Sequence, residues 1–283
     1  MDLSIVFTGY NIKNYISLAI NSLLHFHPEY RNKIIVFDDN SNDGTKEWIY
    51  KNNFKYITWS KEYDLSNTSE TGYRVSCIYK EIFDQCKTRY LMINDGDIVF
   101  YDKIKHNYSE LIQEYPLLFD IIDCYSLDVD DNQSIIDKSH RLWYHNLLLK
   151  KYKYDIIYNE YTRSYKRIDP CHFLIDLKYL QDKRINSIDD INDNWKYLST
   201  YPLDLGSNFL YKVIINNLKY KRIYHNNYIF HIGWMSSMER INTEKMNINY
   251  DVSTSKKLFL NRFHKEQENN IKLKYMVELY DIR

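Results

Sequence analysis

The first hundred residues alternate short apolar runs with amphipathic stretches, and that rhythm constrains the fold more than any other feature of the chain. Leu3 to Thr8 is rich in β-branched residues and suits a buried strand. A helix follows, with Asn11 available as its cap. Its apolar positions, Ile12, Tyr15, Ile16, Ala19, Ile20, Leu23 and Leu24, recur at helical spacing, and His27-Pro28 closes it. Lys33 to Phe37 reads as a second strand, Thr45 to Lys51 as a helix and Tyr56 to Trp59 as a third strand. Glu70 to Cys86 reads as another helix and Tyr90 to Ile93 as a fourth strand. Repeated strand–helix units imply right-handed crossovers, and hence an α/β fold with a mostly parallel sheet flanked by helices.

In such sheets ligands collect beyond the carboxyl ends of the strands. Three polar clusters fall there: Thr8 to Asn11, Asp38 to Asp43, and Asp95-Gly96-Asp97. Two carboxylates one residue apart can share work around a divalent ion, and the glycine between them permits close backbone approach. The same triplet is also an ordinary turn former. Asp38-Asp39, directly after a buried run, can accept hydrogen bonds from a base imide or a ribose, while Asn42 or Asp43 can cap the following helix. Both readings can hold at once.

In this order, Thr8-Gly9-Tyr10-Asn11, then Asp38 through Thr45, then Asp95-Gly96-Asp97 resemble the family-2-type glycosyltransferases of GT-A fold, which has a Rossmann-like sheet. The likeness is firm over residues 3 to about 100 and looser from 170 to 235. By resemblance, Thr8, Tyr10 and Asn11 belong to the loop that holds base and ribose. Asp39 matches the carboxylate that hydrogen-bonds a uracil imide. Asp95 matches the first acid of the DxD motif, near the ribose, and Asp97 the acid that binds Mn2+ or Mg2+ under the donor diphosphate. Arg74, in Gly72-Tyr73-Arg74-Val75-Ser76, is the nearest counterpart of a nucleotide-binding arginine.

The second half offers further candidates by the same resemblance, each with a structural alternative. Asp204, in Tyr201-Pro202-Leu203-Asp204-Leu205-Gly206-Ser207, corresponds to the general base, and can equally cap the helix after Gly206. His231, in Phe230-His231-Ile232-Gly233-Trp234, corresponds to a metal-binding or diphosphate-contacting histidine, or serves the core. His172, in Asp169-Pro170-Cys171-His172-Phe173, contacts donor sugar or acceptor, or is a buried, hydrogen-bonded histidine. Trp234 stacks on a sugar or packs internally. The Gln-x-x-Arg-Trp motif of processive polysaccharide synthases is absent.

The resemblance implies a metal-dependent, inverting, non-processive transferase that moves a sugar from a UDP-sugar to a hydroxyl acceptor such as a glycan. A modified nucleic acid as acceptor, or a catalytically silent nucleotide- or sugar-binding module, are the alternatives. No GxGxxG marks a dehydrogenase or methyltransferase, and no basic Gly-rich loop marks a nucleotidyltransferase.

The rest of the chain is read more coarsely. Ile121 to Leu127 and Tyr220 to His231 are expected as strands, Phe173 to Leu180 as a strand passing into a helix, and Gly206 to Asn217 as a helix. The expected division is a GT-A domain over residues 1–238, with a nucleotide-binding half at 1–100 and an acceptor and catalytic half at 101–238. A C-terminal helical extension at 239–283 docks through Leu258, Phe259, Phe263, Ile271, Leu273, Met276 and Leu279.

Composition narrows the remaining classes. With 44% hydrophobic and 27% charged residues the chain is neither disordered nor fibrous, and 38 basic against 38 acidic residues advertise no polyanion partner. Basic residues stand among tyrosines from Lys150 to Arg167, which reads as a solvated face or as a grip for a polyanion. The 29 tyrosines fit an AT-rich genome as well as a sugar-binding surface. Cys77, Cys86, Cys124 and Cys171 form no CxxC pair, which points to reduced thiols and a cytoplasmic or other reducing setting. No apolar run approaches 18 residues, so no membrane span is expected, and the N-terminal run does not read as a signal peptide.

Overall fold

The structure is a computed structural model that describes residues 1–63, 71–121, 158–159, 164–165, 171–182, 218–224, 228–233, 235 and 252–280. Among these, β1 (Leu3–Gly9), β2 (Ile34–Asp38), β3 (Lys55–Ile57) and β4 (Tyr90–Asp95) carry the first half. They alternate with α1 (Lys13–Phe26), α2 (Thr45–Lys51) and α3 (Thr71–Gln85). Further along are β5 (Ile98–Phe100), α4 (Tyr108–Glu114), β6 (Leu117–Ile121), and the short pair β7 (Tyr158–Asn159) and β8 (Ser164–Tyr165). The chain continues with β9 (His172–Asp176), α5 (Leu177–Asp182), β10 (Tyr220–Tyr224), β11 (Ile229–His231), α6 (Val252–Asn269) and α7 (Ile271–Leu279).

Seven strands form the main sheet in the order β10-β6-β9-β4-β1-β2-β3. All neighbours are parallel except β9, which runs antiparallel to both β4 and β6. β5 and β11 form a separate antiparallel pair. The expected mixed, mostly parallel GT-A-like sheet with helices on both faces is therefore present.

Both faces of the sheet are covered, which is why its central strands read as continuous apolar runs. On β1 the alternation is visible residue by residue. Val6 joins Ile35, Phe37, Ile82, Ile93 and Phe173 under α3, while Ile5 and Phe7 join Ile16, Ala19, Ile20, Leu23, Val36 and Met92 under α1. Ser22, fully buried on α1, donates to the Ala19 carbonyl and accepts the Phe100 amide, pinning β5 to the helix.

A third cluster attaches the C-terminal helices. Phe263, Leu273, Met276 and Val277 pack on Ile12, Leu18, Val99, Ile232 and Met235. Of the expected docking residues, Phe263, Leu273 and Met276 are buried, but Ile271 is 81% and Leu279 45% exposed. The chain breaks between α6 and α7 at Asn270, whose side chain accepts the Leu273 amide, so the helical phase restarts there. Two strand expectations are also corrected. The strand expected from Ile121 begins earlier, as β6 at Leu117, and residues 122–127 of that expectation lie outside those described. The single strand Tyr220 to His231 is two strands in different sheets. Among the described residues, no helix is long and apolar enough to cross a membrane.

Candidate active site

The registers of β1 with its two neighbours bring three loops to one rim: Gly9 pairs with Asp38, and Thr8 with Asp95. The first two loops are stitched together. Asn11 sits in the left-handed region at φ 52°, a conformation asparagine tolerates, and its amide donates to Ser41 Oγ at 2.9 Å. Its side-chain oxygen accepts the Asn42 amide at 2.8 Å, and the Asp39 amide donates to the Gly9 carbonyl. The expected capping of α1 by Asn11 does not occur. Asp43 does that work from the neighbouring loop, with Oδ2 accepting the Lys13 amide at 2.7 Å and Oδ1 accepting the Thr45 amide at the start of α2.

Asp39 is almost fully buried at the end of β2. Trp59 Nε1 donates to its Oδ1 at 2.7 Å, and Arg74 forks onto it with Nε 2.8 Å from Oδ2 and Nη2 2.8 Å from Oδ1. The Arg74 guanidinium also lies 6.0 Å from the Tyr10 ring centre and 5.9 Å from that of Trp59. The structure thus assembles Tyr10, Asp39 and Arg74 from three separate segments. Trp59 completes the group and was not foreseen: at the end of an apolar run it reads as core. Asp38 serves the loop instead, accepting the Ser41 amide and the Tyr56 hydroxyl. Burial raises its carboxyl above the usual range, although the Ser41 hydrogen bonds oppose this.

The turn between β4 and β5 presents the acidic triplet. Gly96 donates its amide to the Thr8 carbonyl at 2.8 Å. A Cβ there would lie 2.6 Å from that oxygen and 2.8 Å from Ile12 Cδ1, so only glycine fits. The Asp95 amide donates to the Cys171 carbonyl and the Ile232 amide to the Asp97 carbonyl, so the starts and ends of β9 and β11 clamp the turn. Asp95 leaves 32% of its side chain exposed, while Asp97 and His231 lie behind it. His231 Nε2 is 3.2 Å from Asp97 Oδ1 and 3.7 Å from Asp95 Oδ2. The second oxygen of Asp97 accepts the Met235 amide at 2.9 Å.

Burial works to raise the Asp97 carboxyl, but the His231 charge and hydrogen bond, with the backbone amides, outweigh it and hold the group below its ordinary range. It is therefore a carboxylate at neutral pH. Ligand atoms of Asp95, Cys171 and His231 lie within 4.8 Å of one another, a group that could hold a metal ion, and Asp97 Oδ1 lies 3.2 Å from the same histidine. The carboxylates suit Mg2+ or Mn2+.

His172, expected to touch sugar or to be buried, takes the second course. It is 1% exposed, with Nδ1 bonded to Asn94 Oδ1 and Nε2 3.1 Å from the Tyr108 hydroxyl. Burial pushes its pKa down to about 3, so the ring is neutral. A sugar-contacting role does not fit this placement. Asp204 and Trp234 lie outside the described residues. Cys171, whose thiol sits beside His231, carried no signal beyond its type, because 60 residues separate the two in sequence.

No curated protein sequence matches this one significantly. Among solved structures, S. aureus TarS superposes with a TM-score of 0.50 and 16% identity, over 93% of this chain and 43% of the TarS chain. The chain therefore spans less than half of that protein's length, and the likeness is one of fold. S. aureus TarS 1–349 in complex with UDP-GlcNAc gives 0.48 and 17% identity, over 94% of this chain and 73% of that one. The mannosyltransferase PcManGT from Pyrobaculum calidifontis, in complex with GDP-Man and Mn2+, gives 0.48 and 7% identity, over 98% and 74%. Residues 4–167, more than half of the chain, match the family described as Glycosyl transferase family 2. Sheet and sequence agree: the chain belongs to glycosyl transferase family 2.

Proposed function

We propose that the chain is a metal-dependent, inverting, non-processive glycosyltransferase that takes a UDP-sugar and a hydroxyl acceptor, a glycan or similar. The observation that carries the reading is the meeting of Asp95, Asp97 and His231 at one rim with Asp39 and Arg74, although Asp39 and His231 are 192 residues apart in sequence.

In this reading Thr8, Tyr10 and Asn11 line the nucleoside side, and Asp39, oriented by Arg74 and Trp59, accepts from the base imide. Asp95, the exposed acid, faces the ribose and the cation. Asp97 and His231 hold Mn2+ or Mg2+. Bound there, the ion supplies Lewis-acid stabilisation of the departing diphosphate. Asp204 takes the acceptor's proton as its oxygen forms the new bond to the anomeric carbon, the bond from that carbon to the diphosphate oxygen breaks, and UDP leaves with the electron pair. Trp234 stacks on a sugar ring. The described cysteines Cys77, Cys86 and Cys171 are buried thiols outside any disulfide, which fits a reducing compartment such as the cytoplasm. The division into residues 1–238 and 239–283 remains our assignment of domain and extension.

A thermal-shift screen of nucleotides and nucleotide-sugars, with and without Mn2+ or Mg2+, tests this. The panel includes UDP-GlcNAc and GDP-mannose. A native-state ligand at 100 times its Kd adds about 2.7 kcal/mol of stability. A metal-dependent rise with UDP, largest for one UDP-sugar, is expected. A flat response to every nucleoside diphosphate in the presence of metal would remove the proposal.

A further inference from the structure

We infer that Cys171 is a positioning residue, supplying the acceptor for the Nδ1 proton of the ring tautomer in which His231 Nε2 binds a divalent ion. The inference rests on the proposed metal site. Its geometry is specific. Cys171 Sγ lies 2.9 Å from His231 Nδ1 and within 4.8 Å of an Asp95 carboxylate oxygen, while Nε2 looks toward Asp97 Oδ1 at 3.2 Å and Asp95 Oδ2 at 3.7 Å. Both residues are buried, Cys171 at 2% and His231 at 2% exposure.

An imidazole can ligate only through a nitrogen that carries no proton, so the other nitrogen must hold it and needs an acceptor. A proton on His231 Nδ1 has Cys171 Sγ as its acceptor. Without an ion, Nε2 faces Asp97. With an ion, Nε2 presents its lone pair, Nδ1–H donates to sulfur, and the S–H turns aside. A thiol is suited to this because it is both donor and acceptor.

The backbone makes the placement firm. The Cys171 carbonyl accepts the Asp95 amide at 2.8 Å, and β9 follows immediately, paired with β4 so that Asn94 faces His172. The Arg262 guanidinium donates to the His231 carbonyl at 3.1 Å, fixing the histidine's main chain from α6. Carboxylates or carbonyls usually occupy the place behind a metal-binding histidine; here it is a thiol. In this arrangement the sulfur acts through the ring; direct ligation by Cys171, whose Sγ shares a 4.8 Å cluster with Asp95 and His231, is the rival that the Co2+ measurement below separates from it.

The test uses the full chain and the metal alone. Unbound Mn2+ is read by electron paramagnetic resonance in the parent, C171A and C171S. Weakening of about 10- to 100-fold in C171A is expected, with most of the affinity restored in C171S because a hydroxyl can also accept. Parent-like affinity in folded C171A overturns the inference and leaves the metal site standing. A parent that binds no Mn2+ removes the metal site and the inference with it. Two measurements on the parent need no variant. Nitrogen NMR of the Mg2+-loaded protein is expected to show the His231 proton on Nδ1, and a proton on Nε2 overturns the inference. The Co2+-loaded protein is expected to lack sulfur-to-cobalt charge transfer in the near ultraviolet; a strong band would make Cys171 a ligand and overturn it.

Discussion

Arg74, on the first turns of α3, grips Asp39 at the tip of β2 through two parallel hydrogen bonds of 2.8 Å, and the carboxylate it holds is almost wholly withdrawn from water. A planar fork on a buried carboxylate fixes orientation as well as charge, and lysine cannot reproduce it. The pair ties the third loop region of the sheet to the second.

Removing the cation from that pair leaves a buried carboxylate uncompensated. Arg74→Ala is expected to lose about 3–5 kcal/mol of stability, read by urea unfolding. The double variant with Asp39→Asn should lose clearly less than the sum of the two single changes. Additive losses would show that the two side chains are not energetically coupled.

The acidic triplet predicts a different pattern. Asp97→Asn should fold, since the amide oxygen can still accept the Met235 amide, which lies 2.9 Å from Asp97 Oδ2. Sugar transfer should nevertheless fall by roughly 100-fold or more, reflecting several kcal/mol of lost charge stabilisation. Asp204→Asn should cut transfer while sparing donor binding. Full turnover in either variant, measured as UDP release with acceptor present, would take that residue out of the mechanism.

Gly96→Ala tests the close approach of the β4–β5 turn to β1. Its Cβ would meet the Thr8 carbonyl at 2.6 Å and Ile12 at 2.8 Å, and backbone cannot yield as a flexible side chain does. A loss of about 1–3 kcal/mol is expected, seen as a lower melting temperature. The metal affinity should fall too, because the turn carries both acids.

His172 makes stability pH-dependent. Its folded pKa is depressed to about 3 by burial, whereas in the unfolded chain it titrates near 6.5. Below about pH 6.5 the unfolded state binds the extra proton, so stability from this residue is full above that pH. It declines as pH falls toward about 3, by up to about 1.4 kcal/mol per pH unit. Urea midpoints at several pH values should therefore fall more steeply for the parent than for His172→Gln. Equal slopes would show that the ring is protonated inside the fold.

Much of the first half was legible because local pattern and final burial coincide. α2 spans Thr45–Lys51 as expected after the polar turn, and β1 to β4 lie within two residues of their expected ends. Leu18 of α1 went unread because it lies off the main stripe; it is buried by α6 and α7, from the far end of the chain. The break at Asn270 reset the helical phase and exposed Ile271 and Leu279. The acids were legible as a motif, and His231 and Arg74 by resemblance, but Trp59 and Cys171 were not. Trp59 reaches Asp39 only because the chain turns after β3 ends at Ile57. Cys171 reaches His231 only because β9 inserts antiparallel between β4 and β6, a register set by tertiary packing rather than by spacing.

Asp43 holds the starts of two helices at once, with one oxygen on Lys13 and the other on Thr45. Together with the Asn11–Ser41 and Asn42–Asn11 bonds, this makes the first and second loops a single mechanical body, unable to hinge apart. The ordering entropy of that edge is spent during folding, so an arriving donor meets a preorganised surface, and its affinity is not reduced by having to assemble one.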